Sequence, residues 1–109
     1  MDDPDVPTSI RTDGNWDHWL VWNIPADTKE IPENSVLNGA VVGKNTGGEN
    51  RYGGPCPPDR QHRYFFKLFA LDTLLDLPDD STTKEDLLMA IENHILAQDE
   101  LMGMYLEGK

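Results

Sequence analysis

The chain has 109 residues, 38% of them hydrophobic, with nine basic against twenty acidic side chains and a formal net charge of −11. A field of that sign repels phosphate backbones and anionic lipid surfaces, which argues against nucleic acid as a partner. No apolar run approaches the roughly 20 residues a spanning helix needs and one cysteine closes no internal disulfide, so the expectation is a single cytoplasmic domain over residues 1–109, without stable membrane insertion.

The acidic start, M-D-D-P-D-V-P, holds no apolar stretch and does not read as a signal peptide. Pro4 and Pro7 push their predecessors towards extended geometry, so residues 1–15 read as a loop or a broken strand end. Residues 16–25 predict a strand with His18, Leu20, Trp22 and Ile24 on one face. A second short strand is expected between the glycines of L-N-G-A-V-V-G (37–43), followed by a long Gly-, Asn- and Pro-rich loop over 44–62. R-Y-F-F-K-L-F-A-L (63–71) is the strongest strand of the chain, with Phe66 and Leu68 facing the core. The spacing of residues 82–102 predicts one long helix, opened by a Thr82/Glu85 capping box and closed at Gly103. Its stripe is Leu88, Ile91, Ile95 and Met102, and His94 is a packing residue on it.

Several chemistries fail on spacing. G-A-V-V-G-K-N (39–45) has three residues between its glycines and Asn45 after the lysine, which does not build a phosphate-binding loop. Ser9, Ser35 and Ser81 sit in polar loops outside any nucleophile elbow. Cys56, His62 and His18 lack the paired close spacings of a structural zinc site, so no metal or cofactor is expected and Cys56 reads as a turn residue. Alternation in D-P-D places Asp3 and Asp5 on one side, where facing histidines would suit them. His62 and Tyr64 share a parity at the rim of the strong strand. Gly53 and Gly54 let backbone approach a ligand, and Pro55, Pro57 and Pro58 stiffen the wall. Together they describe a rigid, donor-rich pocket mouth.

Four motifs stand in a fixed order: D-P-D-V-P (3–7), H-W-L-V-W-N-I-P (18–25), Y-G-G-P-C-P-P (52–58) and H-R-Y-F-F-K-L-F-A-L-D (62–72). In that order, and with the tail E-N-H-I-L-A-Q-D-E-L-M-G-M-Y (92–105), the chain resembles the phosphatidylethanolamine-binding protein family, in its bacterial and archaeal Raf-kinase-inhibitor-like branch. The resemblance implies a mainly β fold, a β-sandwich with a C-terminal peripheral α-helix. It also implies an anion pocket at Asp3, Asp5, Pro7, His18, Tyr52, Gly54, Pro55, His62 and Tyr64, accepting phosphate-like or carboxylate groups, phospholipid headgroups included. Family members carry further strands ahead of the first motif, whereas Met1 almost abuts it here. The expectation is a sandwich incomplete at its N-terminus, marginal alone or paired with a second copy, and an upstream signal stays open.

Two function classes follow, a third is weaker, and a fourth is a truncated chain without retained function. The first is a non-catalytic module binding phosphate, phosphoethanolamine or a phosphorylated group. The second is an inhibitor of a kinase or protease acting through a loop such as 44–52. An enzyme with His18 or His62 as general base lacks an evident nucleophile.

Overall fold

The structure is a computed structural model that describes residues 1–32, 35 and 38–106. Its regular elements are β1 (Asp2–Asp3), β2 (Trp16–Asp17), β3 (Val21–Trp22), β4 (Val41–Val42), β5 (His62–Leu71), α1 (Lys84–Ile91) and β6 (Ile95–Tyr105). A four-stranded antiparallel sheet runs β2-β1-β5-β6, and β3 and β4 form a separate antiparallel pair. The fold is mainly β with one helix, as expected. Among the described residues, no helix is long and apolar enough to cross a membrane.

The strand expected over residues 16–25 is split between the two sheets. Residues 18–20 carry the chain from β2 to β3, and Asn23 ends the run at φ 59°, a left-handed conformation that asparagine tolerates. The expected face survives the break: His18, Leu20 and Trp22 are all buried. Asn23 also clamps the chain ahead of α1, donating from Nδ2 to the Leu75 carbonyl and accepting the Leu75 amide at Oδ1, both at 2.8 Å. The short strand foreseen over 37–43 is β4, of two residues; Leu37 lies outside the described residues.

The largest difference concerns the predicted helix. α1 stops at Ile91 and its capping box is Thr83 with Asp86, not Thr82 with Glu85. Thr82 is instead buried, its hydroxyl donating to the Pro78 carbonyl. Asn93 adopts φ 69°, turning the chain back, and His94 leaves the helix to bond Asp72 at 2.7 Å. Residues 95–105 then pair with β5 from His62↔Tyr105 to Leu71↔Ile95, with one irregularity at Ala70/Leu71. Ile95 and Met102 therefore belong to a strand, and Leu88 is exposed. Ten cross-strand pairs outweigh the helical preference of that segment, which is only a few tenths of a kcal/mol per residue.

The core lies on one side of this frame. Leu20, Trp22, Leu75 and Ile91 are buried together, with Val41, Phe69, Leu71, Leu77, Leu87 and Ala90 packed around them. Gly43 presses on the Trp22 ring, where an added Cβ would lie 2.7 Å from the indole. Leu68 does not face this core: it is 62% exposed, as are Leu96 and Leu101 at 69% each. Lys84, at the start of α1, reaches Asp2 on β1 at 2.6 Å and Asp17 on β2 at 3.4 Å, fastening the helix to the sheet beside the site. Burial works against the Asp2 charge, but the bonds and charges of Lys84 and Lys67 together outweigh it and hold the carboxyl below its ordinary value.

Candidate functional site

A cavity of about 370 Å3 lies where β1, residues 16–18, the loop over 45–49, the segment 53–58 and the start of β5 meet. Each wall has a local cause. β1 sits between β2 and β5, with Asp2 opposite both Asp17 and Phe65, which sets Asp3 beside the start of β5. The loop wall is shaped by Asn45, buried, whose Oδ1 accepts the Glu49 amide while its Nδ2 donates to the Arg51 carbonyl. Gly53 is bound to His18 twice: its amide donates to the His18 carbonyl at 2.9 Å, and its carbonyl accepts from His18 Nδ1 at 2.8 Å. A side chain at Gly53 would meet Asn45 Nδ2 at 3.3 Å, so the close approach favours glycine.

The centre is His62, with no exposed surface. Its Nδ1 lies 2.6 Å from Asp3 Oδ2 and its Nε2 lies 2.7 Å from Asp59 Oδ1. Burial opposes a charge on this ring, but the bonds to Asp3 and then Asp59 outweigh it and raise its pKa. Asp3 is itself fixed, its Oδ1 accepting the Asp5 amide at 2.8 Å. His18 is the opposite case. Burial lowers its pKa, and because a carbonyl only accepts, its Nδ1 carries the hydrogen and Nε2 keeps a lone pair.

Tyr64 completes the set. Its ring stands edge-on to His18 at 5.4 Å and stacks on His62 at 6.4 Å between centroids. Burial, with the negative charge of Asp3, pushes its pKa up, so it remains a phenol. Its hydroxyl is buried near the Asp3 carboxylate but makes no hydrogen bond of normal length and angle among the described residues. A buried hydroxyl without a partner costs about 1–3 kcal/mol, which a polar guest in the cavity would relieve.

Of the residues singled out from the sequence, Asp3, His18, Gly54, His62 and Tyr64 line the cavity together. Asp5, Pro7, Tyr52 and Pro55 are not among its lining residues. Asp3 and Asp5 do not face a common partner: Asp5 turns to Arg63, which grips it through Nε at 2.9 Å and a terminal nitrogen at 2.8 Å while the Arg63 amide adds a third bond. That guanidinium holds the Asp5 carboxyl well below the usual carboxylate range. Pro7 instead closes a turn, accepting from Ile10 and Arg11, and Tyr52 packs edge-on against Trp19 at 5.4 Å. Cys56, read as a turn residue, does line the cavity. Sequence reasoning passed over Asp59, Asn45 and Glu49. Only Asp59 carried a signal, the three-residue spacing to His62 behind two prolines.

The phosphatidylethanolamine-binding protein family model matches residues 1–106. A UPF0098 protein of Chlamydia pneumoniae is 50% identical over 105 residues, covering 96% of this chain and 69% of that protein. One from Methanothermobacter thermautotrophicus is 45% identical over 112 residues, covering 98% and 70%. Among solved structures, a phosphatidylethanolamine-binding protein homologue of Chlamydia trachomatis superposes with a TM-score of 0.92 at 47% identity, over 98% of this chain and 69% of that one. Escherichia coli YbcL, described as a member of the mammalian PEBP family, superposes with a TM-score of 0.80 at 32% identity, over 98% and 68%.

Proposed function

The chain belongs to the phosphatidylethanolamine-binding protein family, and on that premise we propose that it is a binding protein whose cavity takes a small phosphate-like anion. The observation that carries this reading is the unpartnered Tyr64 hydroxyl, a buried donor on the wall of a cavity that also holds His18 and His62. His18 Nε2 offers the complementary acceptor, suited to the hydroxyl of a monohydrogen phosphate or phosphomonoester. Binding fits better than general-base catalysis by His62, because both of its nitrogens are engaged by carboxylates.

The acidic setting limits the strength. Asp3 and Glu49 line the same cavity and the whole chain carries −11, so the donors work against the field. Affinity for free phosphate is expected in the millimolar range, about −4 kcal/mol. The family's name points to a phospholipid headgroup; free phosphate and a phosphorylated protein side chain present the same chemistry. A kinase or protease partner, if engaged, would present that group to the same cavity.

Tyr64→Phe tests this by calorimetric titration with phosphate. A hydrogen bond to a charged group is worth about 1.5–3 kcal/mol, so the variant should bind roughly tenfold more weakly or worse. Its thermal stability should hold or rise, because the hydroxyl has no protein partner to lose. Equal phosphate affinity in Tyr64→Phe and the wild type would refute the assignment.

A further inference from the structure

We propose that Asp59 fixes His62 as an imidazolium, so that the site keeps its cation, and its affinity for anions, across neutral pH. The proposal rests on the anion reading of the cavity only for its second half. The first half stands on hydrogen-bond logic. A carboxylate offers lone pairs and no hydrogen, so a ring whose two nitrogens both face carboxylates must carry a hydrogen on each. His62 is in that position, at 2.6 Å from Asp3 and 2.7 Å from Asp59, with no exposed surface through which water could substitute.

The two carboxylates are not equivalent. Asp3 alone would be satisfied by a neutral imidazole donating from Nδ1, with Nε2 bare. The second hydrogen is required because Asp59 meets Nε2 as well. Either carboxylate alone would leave the ring neutral, so the charge needs both; Asp59 is the exposed member, and removing it leaves the buried bond to Asp3 in place.

The remaining groups around the ring do not change this assignment. Arg60 Nε lies 3.8 Å from the outer oxygen of Asp59 and Asp5 is committed to Arg63. Tyr64 stacks on the ring, and Tyr105 is its register partner on β6. His18 and Glu49 lie on the walls of the same cavity. Among the described residues, only Asp3 and Asp59 touch the ring nitrogens.

Asp59 is partly exposed at 40% of its side chain, so solvent screens its contribution. An opposite charge this close shifts a pKa by about one unit or more, and the lower end applies here. The expected consequences are two. In Asp59→Asn, the His62 pKa falls by about one unit. Anion affinity, flat in the wild type across neutral pH, then declines by roughly tenfold as pH rises through the lowered His62 value and the ring loses its proton.

The test is a proton NMR titration of the His62 ring in the wild type, Asp59→Asn and Asp59→Glu. It is paired with titration by inorganic sulfate, whose charge is constant over the range. A lowered His62 pKa in Asp59→Asn, restored in Asp59→Glu, with sulfate affinity that becomes pH-dependent only in the asparagine variant, supports the proposal. An unchanged His62 pKa in Asp59→Asn overturns it, even where the wild type binds sulfate. A wild type that binds neither sulfate nor inorganic phosphate overturns the anion reading instead, and the His62 titration still judges the role of Asp59 by itself.

Discussion

Asp3→Ala is expected to destabilise the chain by about 3 kcal/mol, because it breaks a buried charged pair from one side. Asp3 is 2% exposed and His62 is fully enclosed, so the histidine that remains has no water to replace the lost carboxylate. Asp3 also caps the Asp5 amide, and its removal frees the turn that leads Asp5 to Arg63. A chain of this size holds roughly 5–15 kcal/mol of total stability, so the loss is a large share of it. Urea unfolding of Asp3→Ala, Asp3→Asn and the wild type would measure it. The asparagine variant keeps an acceptor for the Asp5 amide and should lose less. Phosphate affinity should fall by at least roughly tenfold in Asp3→Ala, since His62 loses its orienting partner.

The same contact gives stability a pH dependence of defined sign. His62 has a folded pKa above its ordinary value of 6.5, so its contribution is fully present below that value. It is lost as pH rises through the elevated folded value. Asp3→Ala should flatten this alkaline loss, and a wild-type stability that climbs steadily over that window would contradict the pairing.

Trp22→Ala is expected to cost about 3–5 kcal/mol, the range for truncating a large buried aromatic. The effect should sit at the upper end, because the core cluster contains four buried hydrophobic residues among the described ones and Trp22 is the largest of them. Gly43 lies against the indole with no side chain of its own to fill the void. Trp22→Phe should recover most of the loss: the indole Nε1 is buried without a partner among the described residues, so removing it forfeits no hydrogen bond. Cooperative urea unfolding of Trp22→Ala at a midpoint near that of the wild type would show that the core lies elsewhere.

The mainly β fold was legible in the sequence, but not every element of it was. His18, Leu20 and Trp22 were legible as one face because alternation survives even where the strand breaks. β5 was legible because an unbroken aromatic run allows little else. Residues 95–105 were not. I-L-A-Q-D-E-L-M are good helix formers locally, and their strand state comes from pairing with β5, a non-local partner that spacing along the chain does not reveal. Asn93 was the local clue, a residue suited to the left-handed turn that ends α1.

At the site, the order of the motifs pointed to Asp3, His18, His62 and Tyr64; Asp3, His62 and Tyr64 stand on β1 and β5, and His18 directly follows β2. Asp5 was misassigned because the turn at residues 4–5 cancels the alternation that would have set it beside Asp3. Asp59 was passed over for a related reason, despite its spacing to His62. Its position depends on how a proline-bracketed loop folds back on His62, and no periodicity governs that.

The most direct measurement is amide chemical-shift mapping of the wild-type chain titrated with inorganic phosphate at neutral pH. The account predicts saturable shifts clustered at His18, Gly53, Gly54, Cys56, His62 and Tyr64, the residues that share the cavity wall. Shifts that are absent up to tens of millimolar phosphate, or that saturate on another surface while these residues stay still, would contradict it.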